Sequence, residues 1–445
     1  MARRLITPGQ ELCAGHRCLA RLHGDAAVPL RLRRYFVFTV FESFFLWMPF
    51  WNLWLFRTAD YFEATLIDVV FWTTGFLVLM PAGVFADRYG RKPAISVGTA
   101  VWTAGIVVWG LSTQLWMFAV SSVIWALGAG FVWNTGSAYL YDTLAEEGQE
   151  DTYPYVIARA TMLSLLATGA ASAVGGTIIA VTGALNATLL LYGVPGVIAF
   201  LLTFTFHEPR VHRAPSPQVL TQIRRGLRTM RASPAIVIVT AFQVVISVVT
   251  YAMMFFRPAF VEAIVQGNFW LMGLGYAGFF AVGAIAGRSM GHVLERLGES
   301  GSLVLSYLLV FVPFILVYAI SAGFFDPATA LVLGLVTQAS FYIFAGVEGP
   351  VVTTIINRRI PSSERVTILA ITTFFTTLTI AIFEPLVGFL ALRSNIGTGL
   401  TAVAAIAAVP CAYLLVAYRR TGQAKAAPPV TAAHLAADGA NTRKP

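Results

Sequence analysis

A chain of 445 residues with 57% hydrophobic side chains, only 11% charged ones and a mean hydropathy of +0.74 lacks the charge content of a soluble protein. Its apolar runs repeatedly reach about twenty residues, enough to cross roughly 30 Å of hydrocarbon, and they are continuous rather than alternating. A soluble α/β enzyme and a β-barrel are both excluded, and an all-α membrane protein is expected.

Residues 1–34 form a basic tail with no apolar h-region, so insertion is expected to begin with the first span. Cys13, His16, Cys18 and His23 make a short Cys/His cluster in that tail. Zinc binding there needs a folded frame, and the segment has no helix or strand pattern, so a disordered cytoplasmic tail without metal is the expectation. Spanning-length stretches follow near 35–56, 62–82, 94–112, 116–140, 155–180 and 187–206, and again near 235–256, 270–290, 302–321, 328–349, 366–390 and 398–418. This predicts twelve transmembrane helices in two six-helix halves, 35–206 and 235–418. The linker 207–234 places Val219, Leu220, Ile223, Leu227 and Met230 on one helical stripe flanked by Arg224, Arg225, Arg228 and Arg231, which reads as an amphipathic helix on an anionic inner leaflet. The Ala- and Pro-rich segment 419–445 reads as a second disordered tail.

Of 30 Lys and Arg, only Arg57, Arg257 and Arg393 fall on the side opposite the termini. Basic residues near span ends are retained inside, so both termini and the linker are expected in the cytoplasm, with the chain in the plasma (inner) membrane. The net charge of +9 is then a matter of topology and needs no nucleic-acid partner.

The second half echoes the first at polar positions. FRTADYFEA from Phe56 matches FRPAFVEA from Phe256, and GVFADRYG from Gly83 matches GHVLERLG from Gly291. Asp142 precedes Arg159 by seventeen positions, as Glu348 precedes Arg365. Such an offset implies pseudo-symmetric halves around a central cavity. GVFADRYGRK between spans 2 and 3, its copy between spans 8 and 9, and the six-plus-six plan resemble the major facilitator superfamily of secondary transporters. GSAYLYDTLAEEG from Gly136 and FHEP from Phe206 are similar to a bacterial, efflux-permease-like branch of it.

The resemblance implies an alternating-access transporter rather than an enzyme, with a cytoplasmic gate at Gly83, Asp87, Arg88, Gly90, Arg91 and Lys92 and its copy at Glu295 and Arg296. Asp87 is suited to the end of a helix in the other half, where it meets the helix dipole. Asp142 with Arg159 and Glu348 with Arg365 are inner-gate pairs by position. Drug exporters of the superfamily carry an Arg in span 4 where this chain has Ile124 before Gly128, and a Gly-Pro in span 5 where it has Ala-Val. Their proton relay is therefore not laid out here in the usual way, while Gly169, Gly175 and Gly176 still permit close packing of spans 5 and 8.

Glu42 lies eight residues past Arg34, roughly 12 Å into the hydrocarbon at 1.5 Å per residue, with no basic residue expected in any span to pair with it. Intramembrane acids are functional by default, which makes Glu42 the leading proton-coupling candidate. Asp68 and Glu384, expected nearer the outer face, are secondary candidates, and Asn134 and Gln243 are the polar groups deep enough to reach a cavity. The aromatics around Glu42 (Phe44, Phe45, Trp47, Trp51 and Trp54, with Trp72 and Trp133) suit a lipophilic cation. No phosphate-cradling Gly-x4-Gly-Lys-Ser/Thr loop occurs, so energy is expected from a gradient, with no cofactor. The function expected is proton-coupled efflux of a hydrophobic or cationic small molecule by a monomer. Metabolite uptake by symport or facilitated diffusion and a non-transporting, receptor-like protein are the alternatives.

Overall fold

The computed structural model describes residues 30–209, 219–360 and 365–422, and the Cys13/His16/Cys18/His23 cluster lies outside them. The described residues are helical throughout, with no strand. In chain order the helices are α1 (Leu30–Glu42), α2 (Trp51–Phe56), α3 (Tyr61–Tyr89), α4 (Arg91–Leu111), α5 (Leu115–Glu146), α6 (Tyr153–Thr182), α7 (Ala187–Leu191), α8 (Gly193–Thr203), α9 (Val219–Ala232), α10 (Pro234–Ile264), α11 (Phe269–Ser321), α12 (Pro327–Asn357), α13 (Arg365–Arg393) and α14 (Ile396–Gly422). Ten helical stretches among them are long and apolar enough to cross a membrane, α11 supplying two, Phe269–Ser289 and His292–Ser321. The backbone of α11 breaks at Gly298, whose φ of 63° is open to glycine and strained for other residues.

Two of the expected spans are not single helices. The stretch 35–56 stops at Glu42 and resumes at Trp51, with short-range turns between, such as Phe45 N to Ser43 O at 2.8 Å and Leu46 N to Phe44 O at 2.9 Å. Pro49, which has no N–H to give a helix ladder, lies within this stretch, and irregular backbone inside a bilayer survives only when protein covers it. The cover is α6: Gly175 stands against the Leu46 carbonyl so closely that a Cβ would overlap it, and Thr168 Oγ1 donates to Ser43 O at 2.9 Å. The second exception, 187–206, is split into α7 and α8 at Tyr192. A third difference is one of length. α10 runs on through the Arg257-Pro258 pair to Ile264, so FRPAFVEA is helix where FRTADYFEA is a turn capped by Asp60.

The segment before residue 210 meets the segment after it where α3 packs on α13, α6 on α11 and α2 on α10. Small residues permit these approaches. Gly176 faces Gly273 and the Phe269 carbonyl, Gly169 faces Ala277, and Gly388 faces Tyr61 and Thr65 of α3. At the end bearing α2 the two segments are pinned by Asn52 Nδ2 on Phe255 O at 2.8 Å, by Phe56 stacked on Phe256 with centroids 5.8 Å apart, and by Arg57 paired with Glu262 at 2.6 Å. The linker helix α9 rests on α13, with Gly226 against Thr367 and Met230 buried, so part of its apolar stripe covers protein.

Gly176→Ala places a methyl group where the α11 backbone runs, and overpacking of this kind costs about 1–3 kcal/mol. Gly278→Ala, on α11 with open space at its Cβ, gains helix propensity without a clash. Thermal unfolding of the purified protein in detergent is expected to show a clear drop in midpoint for the first variant and none for the second.

Candidate functional site

The most buried acids among the described residues meet at the α3–α13 junction. Asp68 on α3 and Glu384 on α13 are 4% and 2% exposed, and their carboxyl groups face each other. The Tyr251 hydroxyl of α10 donates to Asp68 Oδ2 at 2.7 Å, while neither oxygen of Glu384 has a partner from a conventional donor. Trp72, one turn beyond Asp68, stands edge-on to Tyr251 with centroids 5.2 Å apart and lies 6.4 Å from Trp133. The geometry follows from sequence spacing: Gly388, one turn past Glu384, lets α13 close on Tyr61 and Thr65, which precede Asp68 on the same face of α3. Asp68 and Glu384, the secondary candidates expected nearer the outer face, lie inside the protein, because α10, α3 and α13 converge there. Two ionised carboxylates offer only acceptors, so a hydrogen bond between them requires a proton.

Glu42 ends α1 at the helix break, half-buried. Ser43 Oγ donates to Glu42 Oε2 at 2.9 Å, Ser164 Oγ lies 2.8 Å from Ser43 Oγ, and Tyr192 OH donates to the Glu42 carbonyl at 3.1 Å. These partners all belong to the first segment. Of the aromatics expected around Glu42, the indoles pack mainly on one another, while Phe45 lies on Tyr192. Trp47 and Trp51 are buried with Trp102, Trp109 and Trp125 in a core of edge-on indoles, and Trp54 Nε1 donates to Ser112 O at 3.0 Å. Consecutive aromatics on a broken helix point into the helix bundle as readily as into a cavity.

The expectation that no basic residue lies within a span fails at Arg257. It is 7% exposed inside α10, its Nε donates to Gln338 Oε1 of α12 at 3.0 Å, and its guanidinium lies 4.7 Å over the Tyr342 ring. The span read from the sequence ends at 256 and leaves Arg257 just beyond it, whereas the helix continues through Pro258 to Ile264. Gln338, passed over in sequence, is fully buried. Gln243 is half-buried beside Glu348, and each carries a buried oxygen with no hydrogen-bond partner. The side chains of Asn134 and Arg365 lie outside the described part of the structure.

At the end bearing the α3–α4 turn, Asp142 takes Arg91 Nε at 3.2 Å rather than Arg159, whose guanidinium lies 5.3 Å over Phe36. Arg91 also lies 3.4 Å from Asp87, which is exposed like Arg88, Glu295 and Arg296. Lys92 Nζ donates to Phe204 O at 2.8 Å. Glu208 of the FHEP segment accepts from the backbone N–H groups of Arg91 at 2.6 Å and Lys92 at 2.7 Å, capping α4. A Cβ at Gly90 would overlap that carboxylate, and its φ of 108° already favours glycine. The resemblance of FHEP was visible in the sequence; its role as an anionic helix cap was not.

Comparison with known proteins agrees with this architecture. The sequence pattern of the Major Facilitator Superfamily matches residues 35–384. An "Uncharacterized MFS-type transporter YfiU" of Bacillus subtilis (strain 168) is 30% identical over 112 residues, 25% of this chain and 19% of that protein. "Multidrug resistance protein 2" of the same organism is 26% identical over 95 residues, 21% of this chain and 24% of its own length. The matched stretches thus span a quarter or less of either relative. Among solved structures, the nucleoside transporter NupG superposes with a TM-score of 0.70 over 89% of this chain and 100% of that one, and at 13% identity the likeness is one of fold. The chain belongs to the major facilitator superfamily, a family of multi-pass membrane transporters rather than enzymes.

Proposed function

We propose that this protein is a secondary active transporter that moves a hydrophobic small molecule out of the cell by alternating access, in exchange for protons. The observation that carries the reading is the contact of Asp68 and Glu384, with Tyr251, where the first segment of the chain meets the second. A proton shared between the two carboxyls holds α3 to α13. Its loss leaves like charges side by side in a medium of low dielectric, which favours separation of the same two helices. Proton occupancy and the rocking of the two segments are then one equilibrium.

The broken pairs α1/α2 and α7/α8 each complete a pass in this reading, giving twelve spans in two units, 35–206 and 235–418. Helix pairings support the two units: α4 packs on α8 as α11 packs on α14, α1 on α8 as α10 on α14, and α1 on α6 as α10 on α13. Both termini face the cytoplasm of a plasma-membrane monomer, and the basic linker and turns face an anionic leaflet. The Arg57–Glu262 end is then the outer end, closed in this state. Outward transport is favoured by the likeness, over about a fifth of the chain, to the multidrug resistance protein.

Proteoliposomes with an internal pH dye, challenged with a panel of hydrophobic drugs, test the coupling. Asp68→Asn and Glu384→Gln are each expected to cut drug-dependent proton movement at least about tenfold, a 1.4 kcal/mol effect, while drug counterflow persists. Glu42→Gln is expected to reduce it less. Undiminished proton flux in both junction variants refutes the coupling site, and proton movement in the same direction as the drug replaces export with uptake by symport.

The outer closure has its own check. Arg57→Glu is expected to open that end, widening the distance between spin labels at Thr58 and Gln266, and the added Glu262→Arg to close it again. The pair is exposed, so a shift in the closed-to-open ratio of up to about fivefold, about 1 kcal/mol, is the scale expected.

A further inference from the structure

Arg257 is a buried cation without a buried anion. The ion pairs formed among the described residues leave it out, and its bond to Gln338 is to a neutral amide. The groups around it deepen the imbalance. Gln338 has spent its oxygen on Arg257 and keeps an unpartnered Nε2; Tyr342, under the guanidinium, has no acceptor for its hydroxyl proton; Tyr276 of α11, near both, has an unpartnered hydroxyl. Exposures are 7% for Arg257, 0% for Gln338, 8% for Tyr342 and 2% for Tyr276. Buried polar groups are ordinarily satisfied, and a cation with unpartnered N–H and O–H groups but no negative charge is the makings of an anion receptor. Phe279, stacked on Tyr342 with centroids 5.4 Å apart, adds an apolar wall.

We infer that Arg257, Gln338, Tyr276 and Tyr342 recognise the anionic group of the transported compound, so that the substrate is a hydrophobic acid carrying a carboxylate or a similar oxyanion. This rests on the transporter reading and deepens it. The site lies six residues beyond Tyr251 on α10, roughly 9 Å along the helix, and so on the path that passes the acid junction. In this state it is sealed from the outer end by Phe56, Phe256 and the Arg57–Glu262 pair. A guanidinium with flanking donors discriminates by charge: an acid fills the donor set, while its neutral amide leaves the charge unpaired and a cation is repelled.

Binding to the purified full-length protein in detergent tests this without any proton gradient. The probes are 2-naphthoate, naphthalene-2-sulfonate, 2-naphthamide and 2-naphthylmethylammonium, with chloride and inorganic phosphate as inorganic competitors. The acids are expected to bind at least about tenfold more tightly than the amide or the cation. Arg257→Gln is expected to erase the preference and Arg257→Lys to retain part of it, because an ammonium keeps the charge and loses the fork. Tyr276→Phe, which removes a hydroxyl bonded to nothing in this state, is expected to fold normally and weaken the acids alone by a few-fold, so the test stands if the Arg257 variants misfold. The binding is read without a gradient and on variants outside the Asp68–Glu384 junction, so failure of proton coupling leaves this result intact. The inference is overturned if no acid binds, if the amide binds as well as the acid, if Arg257→Gln and Tyr276→Phe keep the preference, or if chloride or phosphate displaces the probes at equal concentration.

Discussion

Asp68 and Glu384 facing each other across the α3–α13 contact set the terms for the rest of the molecule. Carboxyl groups are tolerated in hydrocarbon only where protein surrounds them, and these two lie where three helices from both segments converge. Their approach requires Gly388, because any side chain there would hold α13 off Tyr61 and Thr65. It requires Tyr251, which gives Asp68 its one fixed donor. In the proposed mechanism the remaining acceptors serve a proton, a ligand that comes and goes. A junction built of apolar side chains would hold these helices permanently, whereas on this reading the acids hold them conditionally.

The same logic explains the break in the first span. Ser43–Phe50 forms irregular backbone, and its polar groups are covered by Thr168, Ser164 and the glycine face of α6. That face also packs on α11 through Gly176 and Gly273. One stripe of small residues therefore shelters an unwound segment within its own unit and supplies a sliding contact with the other. Glu42 stands at the edge of this arrangement with a hydroxyl chain of its own, which suits a structural acid that fixes the end of α1.

Much of this was legible in the sequence, and the failures have physical causes. The long apolar stretches, the cytoplasmic-type motif from Gly83 to Lys92, the small residues of α6 and the amphipathic linker all depend on local pattern, which survives translation into structure. Pairings are harder to read along a chain. Asp142 and Arg159 share a spacing with Glu348 and Arg365, yet the structure shows Arg91 on Asp142, where Gly90 turns the chain sharply and Glu208 fixes the start of α4. Asp68 and Glu384 are 316 positions apart, and nothing along the chain links them. Arg257 was missed because the apolar stretch read as a span ends at 256, yet the helix runs on through Pro258, as a helix can when surrounding protein covers the freed carbonyl.

The proposed internal symmetry draws support from the helix pairings, while the chemistry at matching positions differs, and the differences are informative. Gly90 and Gly298 both break the helix with positive φ, and each is followed by a charged residue tied to the neighbouring helix. In the first unit that residue is Arg91 on Asp142; in the second it is Glu299 on Arg358 and Arg359, with Tyr418 donating at 2.7 Å. An ion pair works in either polarity, so the charges have exchanged without loss of the contact. The second pair of equivalent positions behaves differently. Asp68 and Tyr276 each stand eight residues past the cap of their helix, Asp60 and Asn268, and both are buried. Exchange there is not neutral, since an acid can take up a proton and a phenol can donate to an anion. In the proposed reading the two helices therefore divide the work, the acid position serving the proton and the phenol position the substrate.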